Sequence, residues 1–158
     1  MNSDLKTVAD RLQKNINKTA ADFLKYSEAD LRRKPAPNKW SKKEILGHLI
    51  DSAANNHHRF VRAQFENVPF KVVPYEQEHW VKIQRYNELD SKFLLELWKI
   101  YNLHLHSIII NFPEDRLALK CVSTDNREIA ENLFLLIKDY VDHMDHHMKQ
   151  IFHNVQEY

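Results

Sequence analysis

The sequence predicts an all-α fold, a four-helix bundle that forms one domain over residues 1–158. Four long segments carry apolar residues with the 3.6-residue period of an amphipathic helix. The chain holds one glycine and five prolines, which argues against an all-β or a disordered chain. Its 43% hydrophobic and 28% charged residues are typical of a globular protein, and 158 residues are enough to bury one substantial core.

The first helix is predicted over residues 3–26, where apolar side chains recur every three or four positions. Ser3 is available there as an N-cap, because its hydroxyl can accept a hydrogen bond from a free backbone N–H group. Residues 27–40 are predicted to form a connecting loop. Pro35 and Pro37 lie in this segment, and proline restricts both its own backbone and that of the residue before it.

The second helix is predicted to begin at a capping box formed by Ser41 and Glu44, whose side chains satisfy free backbone N–H groups reciprocally. Its apolar period continues to about Asn67. The chain's single glycine, Gly47, lies inside this helix, where glycine costs about 1 kcal/mol relative to alanine. We expect the close approach of a neighbouring helix beside His48 to explain it.

Residues 68–90 form a connection that is too long for an ordinary bundle loop and is predicted to cross the bundle. Aromatic residues within it indicate that it covers another part of the molecule. Residues 76–86 are predicted to form a short helix that turns Trp80 and Ile83 inward.

The third helix is predicted to run from Ser91 until Pro113 ends it. The apolar alternation over residues 117–122 predicts a brief extended hairpin before the last helix. The fourth helix is predicted to begin near Asp125, which has the capping-box spacing to Glu128. Its apolar period extends for about 30 residues.

The long connection between the second and third helices allows them to run parallel, which predicts an up-down-down-up bundle. The second and fourth helices are then antiparallel neighbours. In this arrangement the start of the second helix meets the end of the fourth.

Charge and hydropathy exclude several classes of function. The net charge is +1, so no strong field favours nucleic acid or an anionic membrane. The N-terminal residues are polar and no run of about 18 apolar residues occurs, so we expect neither a secretion signal nor a membrane span. Cys121 is the chain's one cysteine and fits a reducing compartment. Together these features indicate a cytoplasmic protein.

Three histidines lie close together in the predicted fourth helix. His143 and His147 are four residues apart and share the face that points to the core, whereas His146 points outward. His48 lies at the edge of the apolar face of the second helix. If the two helices are antiparallel neighbours, His48, His143 and His147 form a three-histidine metal site with open coordination positions. Neutral imidazole suits Zn²⁺, Ni²⁺ or Fe²⁺.

The spacing alone leaves another interpretation open. His143 and His147 are equally consistent with two partly buried histidines that are held by hydrogen bonds. Two inward imidazoles would be costly if either were protonated without a partner, and a bound metal removes that difficulty. For His48 alone, an ordinary histidine at the edge of a helix face is the more frequent situation.

Two stretches of the chain resemble a known family. Residues 40–51 read WSKKEILGHLID and are followed by NHHRF at residues 56–60, which is similar to the second-helix signature of the DinB superfamily. Residues 140–151 read YVDHMDHHMKQI and resemble the His-x-x-His-His-x-x-Gln-Ile ending of that family. The two motifs cover about a fifth of the chain, and their order and spacing fit the family over nearly all of it.

The resemblance implies an up-down-down-up bundle, frequent homodimers and a divalent metal that is often nickel or zinc. It also implies that the metal ligands are His48, His143 and His147, which includes the pair that the helical wheel favours. The superfamily includes low-molecular-weight-thiol S-transferases, a thiol-dependent isomerase, hydrolases and members without known activity. Fold and metal therefore carry over from the family more firmly than the substrate does.

These patterns predict a metal-dependent enzyme that acts on a small molecule, with the metal activating a bound thiol or water for attack on an electrophile. Thiol S-transfer is expected ahead of hydrolysis, with a low-molecular-weight thiol as one substrate. The alternative is a non-catalytic metal-binding or stress-response protein, in which the metal joins the second and fourth helices.

Four further residues are candidates for the site. Asp51 lies one turn after His48 and is predicted to act as a base or to orient an imidazole, although a solvated acid is the commoner situation. Asn55 and Arg59 follow on the same side of the helix and are predicted to meet an anionic substrate or the carboxylates of a thiol cofactor, although polar residues at a helix surface are the commoner situation. Trp80 in the crossover is predicted to line the mouth of the pocket, although an aromatic residue in a loop more often serves packing.

Overall fold

The computed structural model describes residues 2–125, 127 and 129–153. Within them the elements, in chain order, are α1 (Ser3–Asp22), α2 (Glu28–Arg32), α3 (Lys42–Arg62), β1 (Phe70–Val72), α4 (Gln77–Gln84), α5 (Ser91–Ile110), β2 (Cys121–Ser123) and α6 (Leu133–Phe152). Single 3₁₀ turns occupy Phe23–Lys25, Tyr86–Glu88 and Glu114–Arg116. The long helices α1, α3, α5 and α6 form the bundle, which confirms the predicted all-α class. In this described part of the chain, none of the helices combines the length and the apolar character that a membrane crossing requires.

Helices α1 and α6 run parallel to each other. The Arg11 guanidinium donates to Asp142 over 2.7 Å, and further along both helices the Thr19 hydroxyl donates to the Met148 sulfur over 3.1 Å. The contact positions therefore advance in the same direction along the two chains. The face of α1 that packs on the bundle consists of Leu5, Val8, Ala9, Leu12 and Ile16.

Helix α3 runs antiparallel to α6. The Lys42 ammonium, at the start of α3, donates to the Ile151 carbonyl near the end of α6. Toward the end of α3, the Phe60 ring lies 5.8 Å from the Tyr140 ring, which belongs to the first half of α6. The start of α3 is therefore the part that lies beside the histidine-rich end of α6.

Helix α3 runs parallel to α5. The Lys43 ammonium, in the first turn of α3, donates to the Leu89 carbonyl just before α5. Further along, His57 Nδ1 lies 3.3 Å from the Tyr101 hydroxyl. Two parallel neighbours need a connection that returns along the bundle, and residues 63–90 provide it. The predicted up-down-down-up order is confirmed.

Helix α6 begins later than predicted. Its N-cap is Asn132, whose side chain accepts a hydrogen bond from the Leu135 N–H over 2.9 Å, rather than a residue near Asp125. Before it, β2 pairs with β1, and Lys120 forms an antiparallel bridge with Asn132. The predicted capping partner Glu128 lies outside the described residues.

The predicted local hairpin is reduced to an antiparallel bridge between Lys120 and Asn132, because β2 takes its strand partner from the crossover. Cys121 in β2 pairs in parallel register with Phe70 in β1, which belongs to the crossover. The alternation over residues 117–122 indicated an extended backbone, but the partner strand lies in a distant part of the chain. Both Cys121 and Phe70 are buried, so the strand pair contributes to the core.

The crossover presents a different face to the bundle from the predicted one. Helix α4 buries Val81, whereas Trp80 and Ile83 are 38% and 73% exposed. The prediction of the inward side is wrong because a helix of two turns offers too little periodicity to fix its orientation. Packing of the next segment decides the orientation instead.

The ring of Tyr86, just after α4, packs directly against Gly47 in α3. A Cβ atom added at Gly47 would lie 2.1 Å from Tyr86 Cδ2, well inside any allowed contact distance. The glycine therefore makes room for an aromatic ring of the crossover. The expectation that a neighbouring helix approaches closely at this point is wrong.

The ends of the first two long helices also differ from the prediction. Asn2 rather than Ser3 caps α1, and its side chain accepts hydrogen bonds from two backbone N–H groups. The predicted loop contains the short helix α2, which Ser27 caps. The predicted capping box of α3 is present, but the helix ends at Arg62, before the predicted Asn67.

A buried lysine joins α2, α3 and α5. The Lys43 side chain is fully buried, and its ammonium donates to Glu28 over 2.6 Å. The Ser91 hydroxyl at the start of α5 donates to the same carboxyl group over 2.5 Å. These hydrogen bonds, that from Lys43 foremost, lower the pKa of Glu28 to about 2. The carboxylate therefore holds three helices together beside the start of α3.

Candidate metal centre

Three imidazole rings converge between the start of α3 and the second half of α6. His48 Nε2 lies 3.1 Å from His143 Nε2, and His147 Nε2 lies 3.1 Å from the same nitrogen. One nitrogen from each ring lies within 4.8 Å of the other two. The structure thus brings together the three residues that the sequence predicts as ligands.

The directions of the helices explain why these rings meet. His143 and His147 are one turn apart in α6 and project from the same face. His48 lies in the first two turns of α3, which passes α6 in the antiparallel direction. His147 is 9% exposed and His146 is exposed, which is the separation that the helical wheel predicts.

Hydrogen bonds between the rings cannot satisfy this arrangement. A neutral imidazole nitrogen carries either one hydrogen or one in-plane lone pair. His143 Nε2 faces the other two nitrogens at 3.1 Å each, so it can form a good hydrogen bond with only one of them. A cation between the rings would accept a lone pair from all three nitrogens.

The nitrogen spacing fits a transition-metal ion. Two imidazole nitrogens bound to one ion at about 2.1 Å lie roughly 3.4 Å apart in tetrahedral geometry and about 3.0 Å apart in octahedral geometry. Two of the three nitrogen separations, at 3.1 Å each, fall within this range, and all three nitrogens lie within 4.8 Å of one another. Neutral nitrogen donors suit Zn²⁺, Ni²⁺ or Fe²⁺, whereas Mg²⁺ and Ca²⁺ prefer oxygen ligands. The residues present therefore fit a divalent transition metal.

Burial keeps the three rings neutral. The pKa of His48 is lowered to about 3. Loss of solvation is the largest cause, and the nearby His143 and His147 rings add to it. Burial, and then the neighbouring His147, lowers the pKa of His143 to about 4. Burial also lowers the pKa of His147, although a hydrogen bond with Gln150 acts in the opposite direction. At neutral pH all three rings therefore have a lone pair available for a metal.

Two residues with no role predicted from the sequence support the rings. His147 Nδ1 lies 2.8 Å from Gln150 Oε1, which places the hydrogen on Nδ1 and leaves the Nε2 lone pair facing the other rings. The Trp40 ring packs against His48 with centroids 4.8 Å apart and lies 6.3 Å from His147. The contact between His147 and Gln150 was predictable in principle, because residues three positions apart on a helix are neighbours. The position of Trp40, just before a helix cap, carries no comparable signal.

Asp51 is more deeply buried than a solvated acid would be. The residue is 2% exposed, and its Oδ1 accepts hydrogen bonds from Gln84 Nε2 and the Tyr86 hydroxyl, each over 2.6 Å. Its Oδ2 has no hydrogen-bond partner among the described residues. Burial raises the pKa of Asp51, although the two hydrogen bonds act in the opposite direction. Asp51 therefore ties α3 to the crossover.

The other predicted pocket residues lie beside the crossover. The Asn55 amide donates to the Asp51 carbonyl over 2.9 Å. The Arg59 guanidinium donates to a backbone carbonyl of the crossover over 2.9 Å. Trp80 packs against Tyr75 with ring centroids 5.3 Å apart. These contacts are consistent with a structural role in holding the crossover on α3.

A surface cleft of about 470 Å³ opens next to Trp40, the residue that packs on His48. The segment before α3 and helix α4 form its walls. The lining includes Trp40, Glu44, Val81, Lys82, Arg85 and Asn87. Asn55, Arg59 and Trp80 do not line this cleft, so their part in substrate binding stays a prediction.

Comparisons with known proteins agree with the fold. A family profile described as the DinB superfamily matches residues 9–151. The structure is similar to YfiT from Bacillus subtilis, described as a probable metal-dependent hydrolase with an unusual four-helix bundle topology, at 19% identity and a TM-score of 0.83 over 96% of this chain and 86% of that one. It is also similar to a mycothiol-dependent maleylpyruvate isomerase, at 14% identity and a TM-score of 0.64 over 92% of this chain and 62% of that one. Comparison with curated protein sequences gives no match.

Proposed function

This chain belongs to the DinB superfamily, and from that premise we propose that it is a divalent-metal-dependent enzyme that acts on a small molecule. His48, His143 and His147 hold the metal. The single observation that carries the proposal is the convergence of three neutral imidazole nitrogens that hydrogen bonds among the rings cannot satisfy.

Three protein ligands leave coordination positions free, which is the pattern of catalytic rather than structural zinc sites. A divalent metal held there would supply a Lewis acid and would lower the pKa of a coordinated thiol or water. The donor set favours Zn²⁺ or Ni²⁺, with Fe²⁺ as a further candidate.

Thiol S-transfer and hydrolysis are the two reactions that such a site supports. One similar structure is described as mycothiol-dependent and the other as a probable metal-dependent hydrolase. We place thiol S-transfer ahead of hydrolysis. The cleft of about 470 Å³ beside Trp40 falls within the usual size of small-molecule sites, and none of the three histidines lines it.

A second function is supported by the fact that the three ligands come from two different helices. His48 belongs to α3, whereas His143 and His147 belong to α6, so a bound metal would join two helices that are distant in sequence. In this alternative the metal stabilises the bundle of a non-catalytic metal-binding or stress-response protein.

Elemental analysis of protein purified without an affinity tag tests the metal site. We expect a bound transition metal in the wild type and its loss in His48→Ala and His147→Ala. His58→Ala is the matched control, because His58 is an exposed histidine of the same helix as His48. Full metal occupancy in both ligand variants would contradict the assignment.

Turnover by the zinc- or nickel-loaded protein separates the two functions. Monochlorobimane with mercaptosuccinate as the thiol probes S-transfer, and p-nitrophenyl acetate probes hydrolysis. We expect thiol adduct formation that His48→Ala abolishes. If a cobalt-loaded protein shows no spectral change on addition of thiol, while metal removal lowers the unfolding midpoint, the structural alternative is favoured.

We also propose that α5 forms the interface of a homodimer. Its outer side exposes Phe93, Leu97, Ile100 and Leu103, which are between 38% and 62% accessible. An apolar surface of this kind on a helix marks an interaction site. Residues 100–113 contain no aspartate, glutamate, lysine or arginine, so contact with the same face of a second copy brings no like charges together there.

Sedimentation velocity tests the dimer. The wild type is expected to sediment as a dimer, and Ile100→Glu is expected to sediment as a monomer, because the substitution buries a charge at the centre of the contact. A wild-type monomer at every concentration would contradict the proposal.

A further inference from the structure

The crossover reaches the candidate metal centre through Tyr86. Helix α4 ends where Arg85 adopts the left-handed conformation, with φ of 53°, which is uncommon for a residue other than glycine. The chain then places the Tyr86 ring against Gly47, the residue that directly precedes His48. The crossover therefore packs on the backbone that carries one ring of the triad.

Tyr86 also holds Asp51 by one of its two carboxyl oxygens. Asp51 Oδ1 accepts hydrogen bonds from both the Tyr86 hydroxyl and the Gln84 amide. These contacts fix the carboxyl group and leave Oδ2 buried without a partner in the part of the chain that is described. A buried polar atom without a partner is costly, so a further interaction of Oδ2 is expected.

His48 carries a complementary buried atom. Its Nδ1 lacks a hydrogen-bond partner among the residues that the structure describes, and the residue is fully buried. A histidine that binds a metal through Nε2 carries a hydrogen on Nδ1, and it usually donates that hydrogen to a carboxylate, a carbonyl or a water. His48 and Asp51 are three residues apart in α3, where side chains are neighbours on one face.

We propose that Asp51 is a positioning residue for the metal ligand His48. Asp51 Oδ2 accepts the Nδ1–H group of His48 through one buried water, which gives both unpartnered atoms a hydrogen bond. This inference rests on the proposed function and deepens it, because the hydrogen is required on Nδ1 when Nε2 is the ligand atom. Gln150 holds His147 in the same tautomer, so two of the three rings have an acceptor behind them.

The same contacts argue against Asp51 as a general base. Two donors already occupy Oδ1, and the residue is 2% exposed, so a substrate proton has no direct route to the carboxyl group. Its effect on the site passes through His48, because a carboxylate behind a ligating imidazole fixes the ring and makes it a stronger donor to the metal.

Chelator competition with Zn²⁺ on the full-length protein tests the role. Asp51→Ala is expected to lower the Zn²⁺ affinity by about 10–100-fold, the usual effect of removing such an outer partner. Asp51→Asn retains an acceptor for Tyr86 and is expected to lower the affinity by about tenfold. Ser52→Ala is the matched control, because Ser52 is the next residue of the same helix and is also polar and buried. It should leave the affinity unchanged.

Two further measurements separate positioning from a merely structural role. Urea unfolding of the metal-free proteins should show that Asp51→Asn is at least as stable as the wild type, although its Zn²⁺ affinity falls. Nitrogen-15 NMR of the zinc-loaded proteins should show a His48 Nδ1–H group that exchanges slowly in the wild type and rapidly in Asp51→Asn.

Unchanged Zn²⁺ affinity and unchanged Nδ1–H exchange in both Asp51 variants would overturn the positioning role and leave the metal site intact. A loss of metal-free stability large enough to account for the whole change in affinity would also overturn it. If the wild type itself binds no Zn²⁺, the proposed function fails, and that result is distinct from the other two.

Discussion

Helix α3 contributes to two groups of histidines in which the distances between rings are similar. At its start, His48 belongs to a triad whose ring centroids lie between 4.5 and 5.0 Å apart. Toward its end, the His57 ring lies 4.9 Å from the ring of His104 in α5. The distance between rings therefore does not distinguish a candidate metal centre from an ordinary cluster.

Burial and the direction of the nitrogens do distinguish the two groups. His57 Nδ1 faces the Tyr101 hydroxyl at 3.3 Å, and His104 is exposed to water. Among residues 2–125, 127 and 129–153, neither His57 nor His104 belongs to a set of three converging ligands. In the triad, His48 is fully buried, and His143 Nε2 lies 3.1 Å from the Nε2 atoms of both other rings. A candidate metal centre is recognised by that convergence rather than by the clustering of histidines.

The largest expected effect breaks the triad at its shared nitrogen. His143→Ala removes the ring whose Nε2 faces both other ligands, and it should lower the Zn²⁺ affinity by more than about 100-fold, which exceeds the usual effect of an outer partner. His57→Ala is the matched control from the other group and should leave the affinity unchanged. Chelator competition measures both, and an equal loss in the two variants would erase the distinction between the groups.

A smaller effect is expected from Gly47→Ala, beside the triad. In an open helix this change stabilises by about 1 kcal/mol. Here the new Cβ would overlap the Tyr86 ring, so the free energy of unfolding should fall by about 1–3 kcal/mol. Urea denaturation measures the change.

The double variant Gly47→Ala with Tyr86→Ala is the control for that prediction. Once the ring is absent, the alanine at position 47 should no longer destabilise the protein relative to Tyr86→Ala alone. Equal destabilisation in both backgrounds would show that Tyr86 is not the cause.

The smallest expected effect is on the stability of the protein at acidic pH. It depends on the Glu28 carboxylate, which anchors the start of α3. Lys43, Ser91 and Arg32 hold the pKa of Glu28 down, from an ordinary value of 4.5 to about 2. Because the folded pKa is the lower one, the stabilisation is fully present above pH 4.5 and is lost as the pH falls toward 2. Glu28→Gln should therefore flatten the fall in unfolding free energy over this range.

Urea denaturation of the metal-free protein at a series of pH values measures that slope. Glu96→Gln, at an exposed glutamate of α5, is the control and should retain the slope of the wild type. A slope in Glu28→Gln that matches the wild type would contradict the assignment.

The helices and the inward histidine pair were predictable because their determinants are local. The capping box of Ser41 and Glu44 acts within one turn, and it marks the observed start of α3. The separation of His143 and His147 from His146 follows from helix geometry alone. The resemblance to a family added His48, for which spacing favoured an ordinary histidine, and the structure places its Nε2 within 3.1 Å of His143.

Tertiary structure alone decided the features that join distant parts of the chain. Pairing with β1 keeps β2 extended just before the capping signal at Asp125, and α6 begins at Leu133. The position of the Tyr86 ring over Gly47 likewise depends on how the crossover packs.

The physical reason is that periodicity and capping describe interactions within a turn or two of one helix. Some interactions depend on neighbours that only folding supplies. Examples are the pairing of β1 with β2, the contact of the Tyr86 ring with Gly47 and the burial of Asp51. The sequence determined that four long helices form and which way the histidines of α6 face. The packed structure determined that three nitrogens from two helices converge.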